Sequence, residues 1–198
     1  MTELLPTESL LRADMTPEFN QSSIFGNSGA STINEHGPAY WRLKVETGFL
    51  SLDHARVWSA WLRRRQGARV PFLAYRLWLA RPGGTIVTPD GSIGVALVSS
   101  GTVVRLSGVG SGASAKAGDM ISFRTTNSGY YLGEVTQDAF EAGGVLDLSV
   151  QPDPWTPHAT PELRRVKALG EFRIINPPDA FEDLTNRRLQ FEARQVLR

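Results

Sequence analysis

The residue types that could build a catalytic or metal site are few in this chain and widely spaced. Its 198 residues include three histidines, His36, His54 and His158, and no cysteine. A chain without cysteine has no disulfide, no thiolate zinc site and no thiol nucleophile. The histidines lack the short spacings of zinc motifs, although the members of a Ser-His-Asp triad meet only in the folded protein. We therefore predict no enzymatic activity, no metal site and no cofactor.

Two short motifs suggest a site, and each has a simpler structural interpretation. The stretch Gly108–Gly112 could bring backbone amides close to a phosphate, but the Lys-Ser or Lys-Thr ending of a Walker loop is missing. Asp53 precedes His54 on a predicted helix, where adjacent side chains point about 100° apart and cannot orient each other. We predict a turn for the first motif and a helix cap beside a surface histidine for the second.

A cluster of arginines is the strongest charged feature of the chain. Arg63, Arg64, Arg65 and Arg69 lie close together in sequence, which would suit DNA phosphates or the acidic groups of a neighbouring subunit. The chain carries 21 Lys plus Arg against 20 Asp plus Glu, a net charge of +1, and this balance disfavours a polyanion binder. Cations also stabilise the negative end of a helix dipole without any partner. DNA contact is therefore the less favoured interpretation, and contact with a neighbouring subunit and stabilisation of the helix end both remain open.

One amphipathic helix must carry these arginines. After the cap candidates Ser51 and Asp53, apolar residues recur at spacings of three and four, which predicts a helix that ends near Gly67. These residues are Leu52, Ala55, Trp58, Trp61 and Leu62. Before the helix, apolar and polar residues alternate from Ala39 to Glu46, which is the period of a half-buried strand.

The segment that follows the helix, Val70–Ala80, is almost wholly apolar and is bracketed by prolines. Such a run predicts a strand that is buried on both faces or paired in an interface. We assign Phe72, Tyr75 and Trp78 of this segment to a contact between subunits, together with Phe25 and the four arginines. Large aromatic residues and arginine are the usual anchors of such contacts.

Residues 83–158 differ from both flanks because they are rich in glycine and contain five short β-like runs separated by turn residues. This pattern predicts a small antiparallel β-barrel or sandwich. The runs are Ile93–Val98, Thr102–Leu106, Asp119–Thr125, Tyr130–Thr136 and Val145–Gln151.

The two flanks of this block are predicted to fold together. Residues 170–176 and 188–197 each have the pattern of a strand, and a terminal strand frays unless it completes a sheet. Residues 39–82 and 159–198 would thus form one domain, into which residues 83–158 are inserted. Residues 1–38 are poor in periodic pattern and rich in Ser, Asn, Gly and Thr, which predicts an extended arm or loop.

The sequence gives no sign of membrane insertion or export. Its longest apolar runs fall short of the roughly 20 residues that span a bilayer. The first eleven residues contain Glu3 and Glu8, where a signal peptide would be basic. We expect a soluble protein that is made in a cytoplasm.

The order of these pieces resembles a known family. The arm is followed by a strand Tyr40–Glu46, a helix ending Trp58-Ser-Ala-Trp-Leu-Arg63, an aromatic segment, and a β unit carrying Ala117-Gly-Asp-Met-Ile-Ser122. A strand Gly170-Glu-Phe-Arg173 then precedes the terminal strand. From about residue 20 to 198, this arrangement is similar to the short form of the distal tail protein of long-tailed, siphovirus-type bacteriophages.

The resemblance implies a fold and a role. The fold would be mainly β with one flanking α-helix, namely a β-sandwich belt domain with a small inserted antiparallel β-barrel or sandwich. Six copies would form a homo-oligomeric ring at the tip of the tail, joining the tail tube protein to the tail-tip hub protein and to tail fibres. DNA would pass through this ring without specific binding. The protein would be assembled in the host cytoplasm and found in the virion.

Two other interpretations remain open from the sequence. The first is another ring component of the same tail, a tube or terminator protein, although a stacked tube leaves little outer space for an inserted domain. The second is a small enzyme or a carbohydrate-binding module, with aromatic residues of residues 83–158 forming a platform for sugar rings. The chain lacks the C-terminal carbohydrate-binding-like domain of larger distal tail proteins, which makes direct receptor binding doubtful.

Overall fold

The structure is a computed structural model, and it describes residues 3–25, 31–97, 102–125, 129–154, 163–178 and 188–197. Over these ranges the chain is mainly β with one α-helix, which confirms that part of the predicted fold class. The helix α1 is Leu52–Arg65, and short 3-10 turns lie at Leu77–Leu79 and Asp90–Ser92. The strands are β1 Glu3–Leu4, β2 Leu10–Glu18, β3 Gln21–Phe25, β4 Ser31–Glu35, β5 Tyr40–Thr47, β6 Phe72–Ala74, β7 Gly94–Leu97, β8 Val103–Ser107, β9 Ser114–Ala115, β10 Met120–Arg124, β11 Tyr130–Val135, β12 Ala139–Phe140, β13 Val145–Gln151, β14 Gly170–Asn176 and β15 Gln190–Gln195.

A six-stranded sheet joins the two ends of the chain. Its strand order is β1-β6-β14-β15-β5-β2, and every pair is antiparallel except β1 with β6. The late strand β15 lies between β5 and β14, with Phe191 opposite Val45 and Ala193 opposite both Leu43 and Ile174. The alternation predicted from Ala39 to Glu46 is confirmed, because Trp41, Leu43 and Val45 are all buried.

The N-terminal region corrects the prediction of an arm over residues 1–38. Residues 3–4 and 10–18 are strands of the six-stranded sheet, at its two edges, and Ala13 and Met15 of β2 are buried in its core. The next two strands of the N-terminal region, β3 and β4, form a hairpin that is a separate two-stranded sheet. Polar residues and Pro17 conceal the period of β2, since only its middle residues face the core.

Helix α1 packs its aromatic stripe against the six-stranded sheet. Ser51 caps the helix by accepting a hydrogen bond from the backbone N–H of His54, and Gln66 ends it in the left-handed conformation, as the sequence predicted for this segment. Trp58 and Trp61 are buried. Their indole N–H groups donate to the carbonyls of Glu8 and Leu4, at 2.9 and 3.2 Å, so the helix also holds the segment between β1 and β2.

The predicted strand Val70–Ala80 is wrong for most of its length. The strand covers only Phe72–Ala74, and a 3-10 turn follows at Leu77–Leu79. Ala74 pairs with Gly170, the first residue of β14, so the neighbouring strand offers no partner beyond this point. The chain turns here, and the Arg76 guanidinium forms an ion pair with Glu134 of β11 at 3.0 Å.

All five predicted β-runs of residues 83–158 are strands, and their ends agree with the prediction to within one residue, although Val98 lies outside the described residues. They form an antiparallel five-stranded sheet in the order β10-β11-β13-β8-β7. A second hydrophobic core lies within this unit, built around Phe123, Tyr131, Leu106 and Leu148. Burial raises the pKa of Tyr131 well above its ordinary value, and the phenol donates to the carbonyl of Pro152 at 2.6 Å.

Asp119 ties the start of this unit to its sheet. The carboxylate accepts hydrogen bonds from the backbone N–H groups of Gly83, Gly84 and Lys116, at 2.5, 3.0 and 2.8 Å. A Cβ atom at Gly84 would lie 2.2 Å from the carbonyl oxygen of Ser114, so only glycine allows this approach of the two backbones. The Ala117-Gly-Asp119 motif is therefore the anchor by which the chain enters the five-stranded unit.

The two sheets are joined by buried contacts. The indole N–H of Trp41 in β5 donates to the carbonyl of Leu132 in β11, at 2.8 Å. Met120 and Leu132 from the five-stranded sheet belong to the same hydrophobic core as the six-stranded sheet. Ser122 adds a third link, because its hydroxyl accepts from the backbone N–H of Leu169 at 2.9 Å.

A substitution at Trp41 tests how much this junction between the two sheets contributes to stability. Trp41→Phe keeps a large aromatic ring but leaves the buried Leu132 carbonyl without its donor, so we expect the free energy of unfolding to fall by about 1–3 kcal/mol. The matched control is Phe140→Leu, because Phe140 is 69% exposed and its change should stay within about 0.5 kcal/mol. Urea denaturation at one fixed protein concentration measures both, and equal effects would contradict a structural role for the Trp41 bond.

Candidate functional site

The helix period divides the arginine cluster into residues with different roles. Arg65 lies on the same face of α1 as Trp58 and Trp61 and is 3% exposed, whereas Arg63 and Arg64 are exposed in the last turn of the helix. Arg69 follows the helix and is also exposed. The signal was present in the sequence, because position 65 continues the three-and-four spacing of the two tryptophans.

Arg65 is a structural residue. Its guanidinium donates to Glu3 at 2.5 Å and to the carbonyl of Pro71 at 2.8 Å, and it lies 5.1 Å from the centre of the Trp61 ring. Burial lowers the pKa of Arg65, and the Glu3 carboxylate opposes this effect. Glu3 also pairs with Arg64 at 2.9 Å, so one carboxylate of β1 serves two members of the cluster.

Two residues assigned to a subunit contact lie inside the protein instead. Phe72 is completely buried, and it contacts Trp61 edge-on at 5.0 Å between ring centres. Arg65 is closed off by the partners just described. Both assignments are therefore corrected, because neither side chain reaches the surface of the subunit.

The other assigned residues are placed differently. Trp78 is 74% exposed, and Tyr75 is half-buried with the Lys167 ammonium 5.3 Å from its ring centre. Phe25 pairs through its backbone with Ser31 at the end of the β3–β4 hairpin, and its side chain lies outside the described part of the structure. Within the described ranges, Arg63 and Arg69 form no ion pair, so their charges are open to a partner.

The β3–β4 hairpin is the most exposed secondary-structure element in the described chain. Ser23 lies opposite Ile33, and Ile24 lies opposite Thr32, so Ile33 and Ile24 lie on opposite faces of the two-stranded sheet. These isoleucines are 62% and 59% exposed. The hairpin's described side-chain hydrogen bonds are internal, joining Gln21 to Glu35 and Ser22 to His36. The sequence did not predict this hairpin.

A cavity of about 150 Å³ lies between α1 and the C-terminal end of β14. Leu62, Ile174, Pro177 and Pro178 give it a mainly apolar lining, and Arg63 stands at the same site. The sequence did not predict this cavity, because its walls come from segments more than one hundred residues apart. The arginine nevertheless belongs to the predicted cluster.

The described histidines, His36 and His54, belong to no cluster of metal ligands in the described ranges. The Ser9 hydroxyl lies 2.7 Å from Nδ1 of His54, but Asp53, the acidic neighbour of that histidine, pairs with Arg56 at 3.5 Å. Over the ranges that the structure covers, no three His, Asp or Glu side chains come together as metal ligands would. His158 lies outside those ranges. The Ser9–His54 pair links β2 to the start of α1.

At the glycine-rich stretch, a carboxylate of the chain itself accepts a backbone hydrogen bond. Gly108, Gly110 and Gly112 all have positive φ angles, as the predicted turn requires. Glu141 accepts hydrogen bonds from the amides of Gly144 and Gly112, at 2.6 and 3.0 Å. These bonds lower the pKa of Glu141. Within the stretch, the amide of Gly112 is thus directed at Glu141, and the amide of Gly108 donates to the carbonyl of Gly144 at 2.9 Å.

An open depression of the five-stranded unit contains the ring of Phe140, a candidate for the aromatic platform considered from the sequence. Phe140 is 69% exposed, but the Lys116 ammonium lies 5.4 Å from its ring centre. The flanking charges are also engaged with one another, Lys116 with Asp138 at 2.6 Å and Arg105 with Asp147 at 2.7 Å. The hydrogen bond from Arg105 lowers the pKa of Asp147. A sugar would have to displace these pairs.

Comparison with known proteins assigns no family. Neither the protein-family models nor the curated proteins gave a match to this chain. Among the described residues, no helix combines the length and the apolar character that crossing a bilayer requires.

The two kinds of arginine should respond differently to mutation. Arg65→Gln removes a buried cation that holds Glu3, Pro71 and Trp61 together, so we expect the free energy of unfolding to fall by about 1.5–3 kcal/mol. Arg63→Gln alters an exposed residue of the same helix turn, and at a protein concentration that keeps the subunit monomeric it should change the free energy of unfolding by less than about 0.5 kcal/mol. Thermal or urea denaturation of the two variants gives the comparison. A larger loss in Arg63→Gln would show that we have assigned the wrong arginine to the core.

Proposed function

We propose that the protein is a structural subunit of a bacteriophage tail tip, a distal tail protein that forms a ring of six copies. The ring connects the tail tube to the tail-tip hub and fibres, and DNA passes through it. In this proposal the six-stranded sheet and α1 form the ring-forming belt domain, a β-sandwich, and the five-stranded unit is a small inserted β-barrel. The protein acts in the virion after assembly in the host cytoplasm.

The observation that carries the proposal is the exposed β3–β4 hairpin. An isolated two-stranded hairpin is marginally stable in water, and this one exposes an isoleucine on each face. A hairpin of this kind gains stability when a second surface covers it. In a ring, the body of the next subunit supplies that surface, and each copy both gives and receives one hairpin.

The topology supports the division into belt and insertion. β5, β6, β14 and β15 are adjacent in one sheet although about one hundred residues separate β6 from β14 in sequence. The described strands of the intervening region pair with one another, in the five-stranded sheet and in a two-stranded sheet of β9 and β12. An inserted unit of this kind can vary outside the ring without disturbing the sheet that forms it.

The charges also suit a ring through which DNA moves. A phosphate backbone binds wherever several lysines or arginines line its path, and it would be retarded there. The chain has a net charge of +1, and among its clustered arginines Arg64 and Arg65 are paired with Glu3. Arg63 and Arg69 remain for contacts with an acidic surface of a neighbour, which is the role that we propose for them.

The hairpin gives a direct test of subunit association. Replacing Ile24 and Ile33 by threonine keeps β-branched side chains in the strands but removes apolar surface that a neighbour would bury. Because burying an aliphatic side chain contributes about 1.5–3 kcal/mol, we expect association to weaken at least about tenfold. Sedimentation velocity measures it, with the protein alone and mixed with the tail tube and hub proteins encoded with it.

The matched control is Val87→Thr, which alters a residue that is 87% exposed but lies outside the hairpin. It should associate like the unaltered protein. At a protein concentration low enough to keep the subunit monomeric, the free energy of unfolding of the Ile24→Thr, Ile33→Thr variant should change by less than about 0.5 kcal/mol, because both side chains are exposed in the subunit. Unaltered protein that stays monomeric even with the tube and hub proteins would contradict the proposed function.

A further inference from the structure

Trp78 is an aromatic side chain with no place in either core. It lies in the 3-10 turn Leu77–Leu79 and is 74% exposed, whereas the tryptophans of β5 and α1 are buried. Two further exposed apolar residues are near in the fold: Leu79 is adjacent in sequence, and Val166 precedes Lys167, whose N–H donates to the Ala80 carbonyl at 2.8 Å. Exposed tryptophan at the centre of an apolar patch is typical of the residues that dominate protein contacts.

The cavity between α1 and β14 has the opposite character. It is concave, about 150 Å³ in volume, and lined mainly by Leu62, Ile174, Pro177 and Pro178. An apolar cavity of this size accommodates a benzene ring, and so it can take the six-membered ring of an indole. Arg63 at the same site can place its guanidinium over the face of an indole, where a cation is attracted.

Trp78, which we call the knob, and the cavity cannot meet within one subunit. The turn that holds Trp78 begins after Ala74, which pairs with Gly170, and ends at Ala80, which is bonded to Lys167. It therefore lies at the N-terminal end of β14. The cavity uses Ile174, Pro177 and Pro178 at the C-terminal end of that strand. The seven residues of β14 span roughly 20 Å at about 3.3 Å per residue.

We infer that Trp78 of one copy inserts into the Leu62–Ile174–Pro177 cavity of the next copy, with its ring against Arg63. This inference rests on the proposed ring and names one of its contacts. Knob and cavity are different patches at opposite ends of the same strand, so the contact is head-to-tail. A head-to-tail contact uses each patch once per copy and passes from subunit to subunit until the rotation closes the ring.

The chain's lack of cysteine makes this contact open to specific cross-linking. Leu79→Cys places a thiol beside the knob and leaves Trp78 intact, and Ser59→Cys places one at the cavity wall. A short bismaleimide added to the full-length double variant should give a ladder of covalent species longer than dimers. An equal mixture of the two single variants should stop at dimers, and each single variant alone should stay uncross-linked.

Trp78→Ala in the double-cysteine background should abolish the ladder, and in the cysteine-free protein it should weaken association roughly 30-fold, as hot-spot tryptophans do. The control is Phe140→Ala, which removes another exposed aromatic ring and should leave both readouts unchanged. A multimer whose association is unchanged by Trp78→Ala, or a multimer whose double variant gives no ladder, would overturn the inference and leave the proposed ring untouched. Cross-links in single variants would also overturn it, since they require like patches to meet. Unaltered protein that never associates is a different result, which counts against the proposed function itself.

Discussion

The pairing of β15 with β5 and β14 is the interaction on which the rest of the structure depends. It places the last strand of the chain in the middle of the six-stranded sheet, between strands that precede and follow the inserted unit. Without it, β14 would lose one neighbour and α1 would lose Phe191, which contacts the rings of Trp58 and Trp61. It also fixes the two ends of β14, where the exposed Trp78 and the apolar cavity lie. Folding of the core and placement of the surface features thus share one cause.

The sequence was most informative where a periodic pattern coincides with burial. The alternation around Trp41 and the spacing of Trp58 and Trp61 predicted β5 and α1, and the glycine-separated runs predicted the five strands of the inserted unit. The same reasoning failed for β2, because Pro17 and polar residues interrupt its pattern. It also failed for Val70–Ala80, because apolar composition cannot tell a buried strand from a short strand followed by an exposed turn.

The candidate site could be predicted only in part, for a physical reason. Surface exposure of Arg63 and burial of Arg65 follow from helix geometry, and Trp58 and Trp61 already mark the buried face. The partner of Arg65 could not be read from the sequence, because Glu3 reaches it through the pairing of β1 with β6. The cavity beside Leu62 likewise depends on where β14 ends against α1. Features built by distant segments appear only once the sheet order is known.

The subunit thus has two buried hydrophobic cores, and it exposes apolar side chains in the hairpin and at Trp78. In the proposed ring, neighbouring copies cover these side chains. Native mass spectrometry of the purified full-length protein, alone and with the tube and hub proteins that the proposal assigns to it, tests this account most directly. The account predicts a species of six times the 21.7 kDa subunit mass. A single species at 21.7 kDa under every one of these conditions would contradict it.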